Sequence, residues 1–285
     1  MTATKTLARP GATITYDVRP AAGESSQPPL FVIGYPMAAS GFVTLASHFT
    51  DRTVITYDPR GFERSVRADG APTNTPDIVA DDVHAIIEDL GGGPVDMFAS
   101  SGGAITSLAL VARHPNDVRK LVAHEPPLTA YLSDRANAEA AVKDLADTYQ
   151  AKGFGHAMAK FMGLVMYQGE FPVDWASRPA PDPAMFGMPA DDDGKRDDQM
   201  VGPVAITTGY QPDLGAIKAA PTQVMIAAGL DEAGTMANRG AYGVAQQLSS
   251  EVVEFPGGHG GFLGGEYGQM GKPDEFATKL HEVID

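Results

Sequence analysis

A chain of 285 residues that is 43% hydrophobic and 8% aromatic can bury one large core. Its 21 Lys and Arg stand against 36 Asp and Glu, a formal charge of -15 that repels phosphate backbones and anionic membrane surfaces and so excludes nucleic acid and membrane as expected partners. Cysteine is absent, which removes disulfides, thiolate catalysis and sulfur-ligated metals together. The opening stretch MTATKTLARPGATITYDV has no apolar segment behind its basic residues, and no run approaches the ~18 apolar residues of a membrane span. A soluble, cytoplasmic protein is the expectation.

In chain order, short apolar runs alternate with helical patterns, the signature of a mostly parallel sheet flanked by helices. LFVIG (30–34), TVITY (53–57), VDMFA (95–99), VRKLVAH (118–124) and TQVMIAA (222–228) read as core strands buried on both faces, and EVVEF (251–255) as a later one. Val79, Val83, Ile86, Ile87 and Leu90 share one helical face, opened by Thr75-Pro76 and closed by Gly91. Residues 104–113 predict a second helix, closed by His114-Pro115, and 276–284 a terminal one. In YDPRGFERS (57–65), Asp58 and Arg60 are expected to hold a turn by local hydrogen bonds and an ion pair.

The alternation breaks after Glu125-Pro126-Pro127 and resumes near Thr222. We read residues 1–125 and 221–285 as the core and 126–220 as a helical cap inserted after the sixth strand. The cap is rich in Met and aromatics, including Phe161, Met162, Tyr167, Met185, Phe186, Met188 and Tyr210, the residue types that line substrate pockets. Candidate lining residues are Met37, Tyr131, Met166, Trp175 and Phe262. The acid-rich ADDDGKRDD (190–198) fails as a calcium loop, because setting Gly194 at position six puts Pro189 at position one. No metal and no cofactor is expected.

Between a buried strand and a helix lies Ala99-Ser100-Ser101-Gly102-Gly103. Small residues on both sides allow the sharp turn that lifts a nucleophilic hydroxyl clear of the sheet, so Ser101 is the candidate nucleophile. The amides of Gly102, at the start of the helix, and of Tyr35, after the first core strand, are candidate oxyanion donors. A serine hydroxyl needs a base. Of seven histidines, His84, His156 and His281 lie in helical patterns and His114 at a helix end, whereas His259 sits in a glycine-rich loop after EVVEF. Three carboxylates could orient it: Asp231 leads, following a strand across Gly229, with its neighbour Glu232 and the strand-end Glu125 as alternatives.

Taken in order, the GYP loop, YDPRGFERS, ASSGG, HEPP, GLDEAG and PGGHGGF resemble the α/β-hydrolase superfamily over nearly the whole chain. The resemblance implies that fold with a lid over 126–220, a Ser101, Asp231 and His259 triad, and an oxyanion hole at Tyr35 and Gly102; some members carry the acid at the position of Glu125. The sequence departs from the family at Ile33, where a histidine is frequent, and at Ala99 and Glu63, where glycine is usual. Ser101 sets it apart from members with an aspartate nucleophile, and Gly102 from haloperoxidase-like members, which usually have Met there. The implied function is cofactor-free hydrolysis of an ester or lactone of a small to medium apolar molecule through an acyl-enzyme. A carbon-carbon hydrolase or a non-catalytic binding protein of the same fold are the alternatives, and homodimerisation is left open.

Overall fold

The computed structural model describes residues 1–70 and 74–285. Chain reversal at Pro10-Gly11 pairs β1 (Ala3–Arg9) with β2 (Ala12–Arg19) as an antiparallel hairpin, two strands the sequence reading did not draw out. Then follow β3 (Leu30–Tyr35), α1 (Val43–Ser47), β4 (Val54–Tyr57), the two-residue β5 (Val66–Arg67), α2 (Pro76–Asp89), β6 (Val95–Ser101), α3 (Gly102–Arg113) and β7 (Val118–His124). Beyond β7 come four helices, α4 (Arg135–Lys152), α5 (Phe154–Val165), α6 (Val204–Thr208) and α7 (Leu214–Ala219). The core closes with β8 (Gln223–Gly229), α8 (Met236–Leu248), β9 (Val252–Phe255) and α9 (Pro273–Ile284).

The strands lie side by side in the order β1-β2-β4-β3-β6-β7-β8-β9, with β5 on β2. From β4 to β9 every pairing is parallel. Alternating side chains divide the core between two faces. Phe31, Ile33, Ile55, Met97, Ala99, Leu121, Ala123 and Ile226 meet the apolar sides of α2, α3 and α8. Leu30, Val32, Val54, Phe98, Val122, Ala227 and Phe255 meet Phe42, Leu45, Phe49 and the Phe276 and Leu280 stripe of α9. The six core strands expected from the sequence are all present, within a residue or two at their ends.

Helix α2 begins where the sequence places it, with Thr75 Oγ1 accepting from the Ile78 amide at 3.3 Å and Pro76 at the first position. In the YDPRGFERS turn Asp58 makes the expected local hydrogen bonds and ion pair, with Arg64, whereas Arg60 finds its partner outside the turn. Asp58 accepts from the Ala39 amide (3.1 Å) and from Arg64 Nε (2.6 Å), while buried Arg60 donates to both oxygens of Asp82 on α2, at 2.9 and 2.7 Å.

The segment between β7 and β8 packs in two parts. Helices α4 and α5 with Phe171, Trp175 and Val201 form their own apolar cluster, which rests on Met236 at the start of α8. Arg239 Nη1 pins this part to α8 by donating to Asp134 Oδ1 at 2.5 Å. Ile217 of α7 instead joins the sheet core. In the acid-rich stretch Asp192 pairs with Arg196 and Asp193 with Lys195, and Asp198 Oδ1 accepts from the Met200 and Val201 amides. No helix among the described residues is long and apolar enough to cross a membrane.

The Arg60 and Asp82 pair yields a stability prediction. Asp82→Ala strands a guanidinium that is almost fully buried and should lower unfolding stability by about 3–5 kcal/mol, read as a fall in the urea midpoint without a change of slope.

Candidate active site

The parallel core strands end on one edge, and Ser101, Glu125, Asp231 and His259 lie at or after those ends. Ser101 is the last residue of β6 and the cap of α3, with φ 59 and ψ -126. A non-glycine side chain in that region costs on the order of 1–3 kcal/mol and persists only where its surroundings enforce it. Here they do. The first turn of α3 lies so close to the end of β3 that a Cβ on Gly102 would stand 2.5 Å from the Tyr35 carbonyl oxygen, and one on Gly103 2.7 Å from Gly34 Cα. The two glycines after Ser101 let the helix start directly behind the serine, with its free first-turn amides beside it. Tyr35 and Ser101 are register partners across β3 and β6.

Glu125, one residue past β7, is fully buried and also has a positive φ, 50. Its Oε2 accepts from His259 Nδ1 at 2.6 Å; its Oε1 accepts from the Gly229 amide at 2.9 Å and from Asn238 Nδ2 at 3.3 Å. The imidazole arrives on the glycine-rich loop after β9, and its backbone amide donates to Glu232 Oε2 at 2.8 Å. Burial works against ionisation of Glu125, but the hydrogen bond from His259, helped by the Gly229 amide, outweighs it and brings the carboxyl down to about 2. Burial likewise disfavours the charged imidazole of His259, yet the hydrogen bond and charge of Glu125 prevail and raise its pKa.

Asp231, the acid favoured from the sequence, is not at the histidine. Its half-exposed carboxylate pairs with Lys272 at 2.6 Å, and its amide donates to the Gly257 carbonyl. Chain order alone leaves the choice open, because Glu125 and Asp231 both follow strands that end on this edge; the turn after Gly229 aims Asp231 outward, while the positive φ of Glu125 aims its side chain under His259. Glu232 reaches the histidine through the backbone. Asn238, on the first turn of α8, has no sequence motif and was not foreseen.

The expected lining residues scatter. Phe262 is 1% exposed and stacks on Phe42 at 5.3 Å, so it belongs to the core. Trp175 packs edge-on against Tyr167 and Phe171 inside the α4 and α5 cluster. Tyr131 leans on the sheet core, Met166 is 65% exposed, and Met37 is partly buried beside the Phe42 cluster. A groove of about 490 Å³ lined by Arg19, Ser40, Phe42, Val43 and Glu63 lies at the β2 and β4 side and includes none of Ser101, Glu125 or His259.

Among the described residues, two groups bring three ligand-type atoms together: His84, His114 and Asp117, and Asp51, His281 and Asp285. The first two rings stack at 3.7 Å and 7°, which sets their in-plane lone pairs side by side instead of converging, and each ring is already bonded to an aspartate. Neither group contains Ser101, Glu125 or His259.

The sequence profile of the alpha/beta hydrolase fold matches residues 30–266, and the chain belongs to this family; it is an enzyme of the hydrolase class. It is similar to an uncharacterized hydrolase of Bacillus subtilis (strain 168), YraK, at 28% identity over 283 residues, covering 98% of this chain and 95% of that protein. Solved structures similar to it include the enol-lactonase from Burkholderia xenovorans LB400, 17% identical with a TM-score of 0.65 over 98% of this chain and 99% of that one. A thermophilic esterase from Thermogutta terrifontis, 17% identical, has a TM-score of 0.64 over 100% of both chains.

The pairing at His259 is open to direct titration. By NMR its imidazole should titrate above the usual value of about 6.5, drop on Glu125→Gln, and stay in place on Asp231→Asn.

Proposed function

We propose that the chain is a serine hydrolase that cleaves an ester or lactone of a small to medium neutral, largely apolar substrate through a covalent acyl-enzyme. The observation that carries this reading is the backbone of Ser101, held at φ 59 on the edge where the Glu125 and His259 pair sits. A serine serving only to cap a helix has no need of that conformation, whereas a nucleophile does, because it must stand clear of the sheet.

Ser101 Oγ attacks the acyl carbonyl carbon as His259 Nε2 takes its proton. The C–O bond to the leaving group breaks as His259 returns that proton to the departing oxygen. Water, deprotonated by the same nitrogen, then releases the acid and restores Ser101. Glu125 holds Nδ1 protonated, so that Nε2 is the basic atom, and stabilises the imidazolium formed in each half-reaction. The Gly102 and Tyr35 amides are assigned to the oxyanion, a stabilisation of about 3 kcal/mol for each donor. The insertion over 126–220 is assigned as the lid, since it leaves the core directly after Glu125 and its helices pack back on the first turn of α8, at Met236 and Arg239, beside Asn238. Carboxylates of Glu125 and Glu232 at the histidine, on a chain of charge -15, disfavour an anionic substrate.

A fluorophosphonate probe with mass spectrometry tests the proposal. Labelling of Ser101, lost in His259→Ala, is the expected result; a folded protein that stays unlabelled would overturn it in favour of a binding role. Once a panel of esters, lactones and diketones supplies a substrate, Glu125→Gln should cut kcat by roughly 10²- to 10⁴-fold and Asp231→Asn should leave it near that of the parent. Because only neutral His259 accepts a proton, kcat/KM should fall as pH drops through its raised pKa. That acid limb lies above about 6.5 and moves to lower pH in Glu125→Gln.

A further inference from the structure

Directly beneath the proposed nucleophile and acid lies a second serine and histidine. Ser100 and His124 are register partners across β6 and β7, each one residue before Ser101 and Glu125, and both are buried. Alternation along the strands turns them to the opposite face of the sheet, toward α9. There the Ser100 hydroxyl and His124 Nδ1 are 3.4 Å apart. The ring is walled by Phe98, Phe255, Phe262 and Phe276, with centroids 5.4–6.4 Å away, and lies 6.1 Å from the ring of His259 at 28°.

His124 Nε2 is buried and has no hydrogen-bond partner among the described residues. An orphaned polar atom in a phenylalanine cage is unfavourable for stability, and an apolar ring would fill the same space without that cost. Its facing groups do not favour a charge: desolvation lowers the ring to about 4, more than the nearby Glu125 carboxylate restores, and the His259 ring lowers it further. Neither solvation nor ion pairing accounts for a histidine here. Its one polar contact does. Ser101 and Glu125 both hold left-handed backbone conformations at the ends of neighbouring strands, and such conformations persist only when fixed from several sides.

We propose that Ser100 and His124 are positioning residues, a buried polar brace that locks the ends of β6 and β7 together and so fixes the separation between Ser101 and the Glu125 and His259 pair. The brace trades stability for geometry: an apolar substitute should fold at least as well and react more slowly. This rests on the serine reading of the site, and the test separates the two.

The measurement is the inactivation of purified full-length protein by a fluorophosphonate, resolved into its maximal rate and its half-saturating concentration, alongside thermal unfolding. His124→Phe and Ser100→Ala should each lower the maximal rate about tenfold, as a displaced catalytic group does, with half-saturation unchanged and Tm equal or higher. The double variant should be no slower than either single one, because both remove the same bond. His124→Asn, which keeps a polar atom near the Nδ1 position, should recover most of the rate. Parent-like rates in His124→Phe and Ser100→Ala, multiplicative losses in the double variant, or failure of His124→Asn to recover would each overturn the brace while leaving the serine reading intact. Should His124→Phe fail to fold, the trade of stability for geometry is refuted, and Ser100→Ala with His124→Asn still reads the bond. An unlabelled parent protein removes the serine reading and the brace with it.

Discussion

Much of the site depends on one hydrogen bond, from His259 Nδ1 to a carboxylate oxygen of Glu125. The two residues are separated by the whole of β8, α8 and β9 in the chain, and they meet only because β7, β8 and β9 lie adjacent and parallel. A carboxylate with no exposed surface has to be paired and hydrogen-bonded to remain ionised, and every other contact of Glu125 serves that requirement. Gly229 at the end of β8 and Asn238 on α8 satisfy its second oxygen, and Asn238 also donates to the Gly229 carbonyl at 3.0 Å, fixing the β8 turn to the helix after it. Glu232 on that turn then holds the backbone amide of His259. The histidine is thus fastened to the sheet at two points, through its ring and through its main chain.

Backbone strain is the second constraint. Ser101 and Glu125 occupy conformations that L-residues avoid, at the ends of neighbouring strands, and the sheet supports both. On one face, the approach of α3 to the end of β3 leaves room only for glycine at 102 and 103. On the other, tightly packed phenylalanine rings back the strand ends from below. A core of this density resists small displacements, so the site is carried on rigid elements. The segment between β7 and β8 is divided: α4 and α5 have their own apolar cluster, tied to α8 by the Asp134 and Arg239 pair, while Leu128 and Ile217 join the sheet core.

Local pattern fixed the strands of the parallel core and the serine turn, because burial on both faces and a run of small residues are signals that neighbours in the chain carry by themselves. His259 was legible for the same reason, as the one histidine in a glycine-rich loop after a strand. The antiparallel hairpin of β1 and β2 was less so, since it places Ile14 and Tyr16 in the core but leaves much of its length exposed. The lining residues were not legible either: an aromatic side chain reads alike whether it faces a substrate or, as Phe262 and Trp175 do, other rings.

The sequence by itself determined the class of fold, the strained position of Ser101 and the loop that bears His259, for these follow from periodicity, small-residue spacing and turn chemistry within a few residues. Only the tertiary structure decided which carboxylate serves the histidine. Asp231 and Glu125 are equivalent as strand-end acids in one dimension, and they part in three, where a positive φ turns Glu125 inward beneath the imidazole and the turn after Gly229 sends Asp231 out to Lys272.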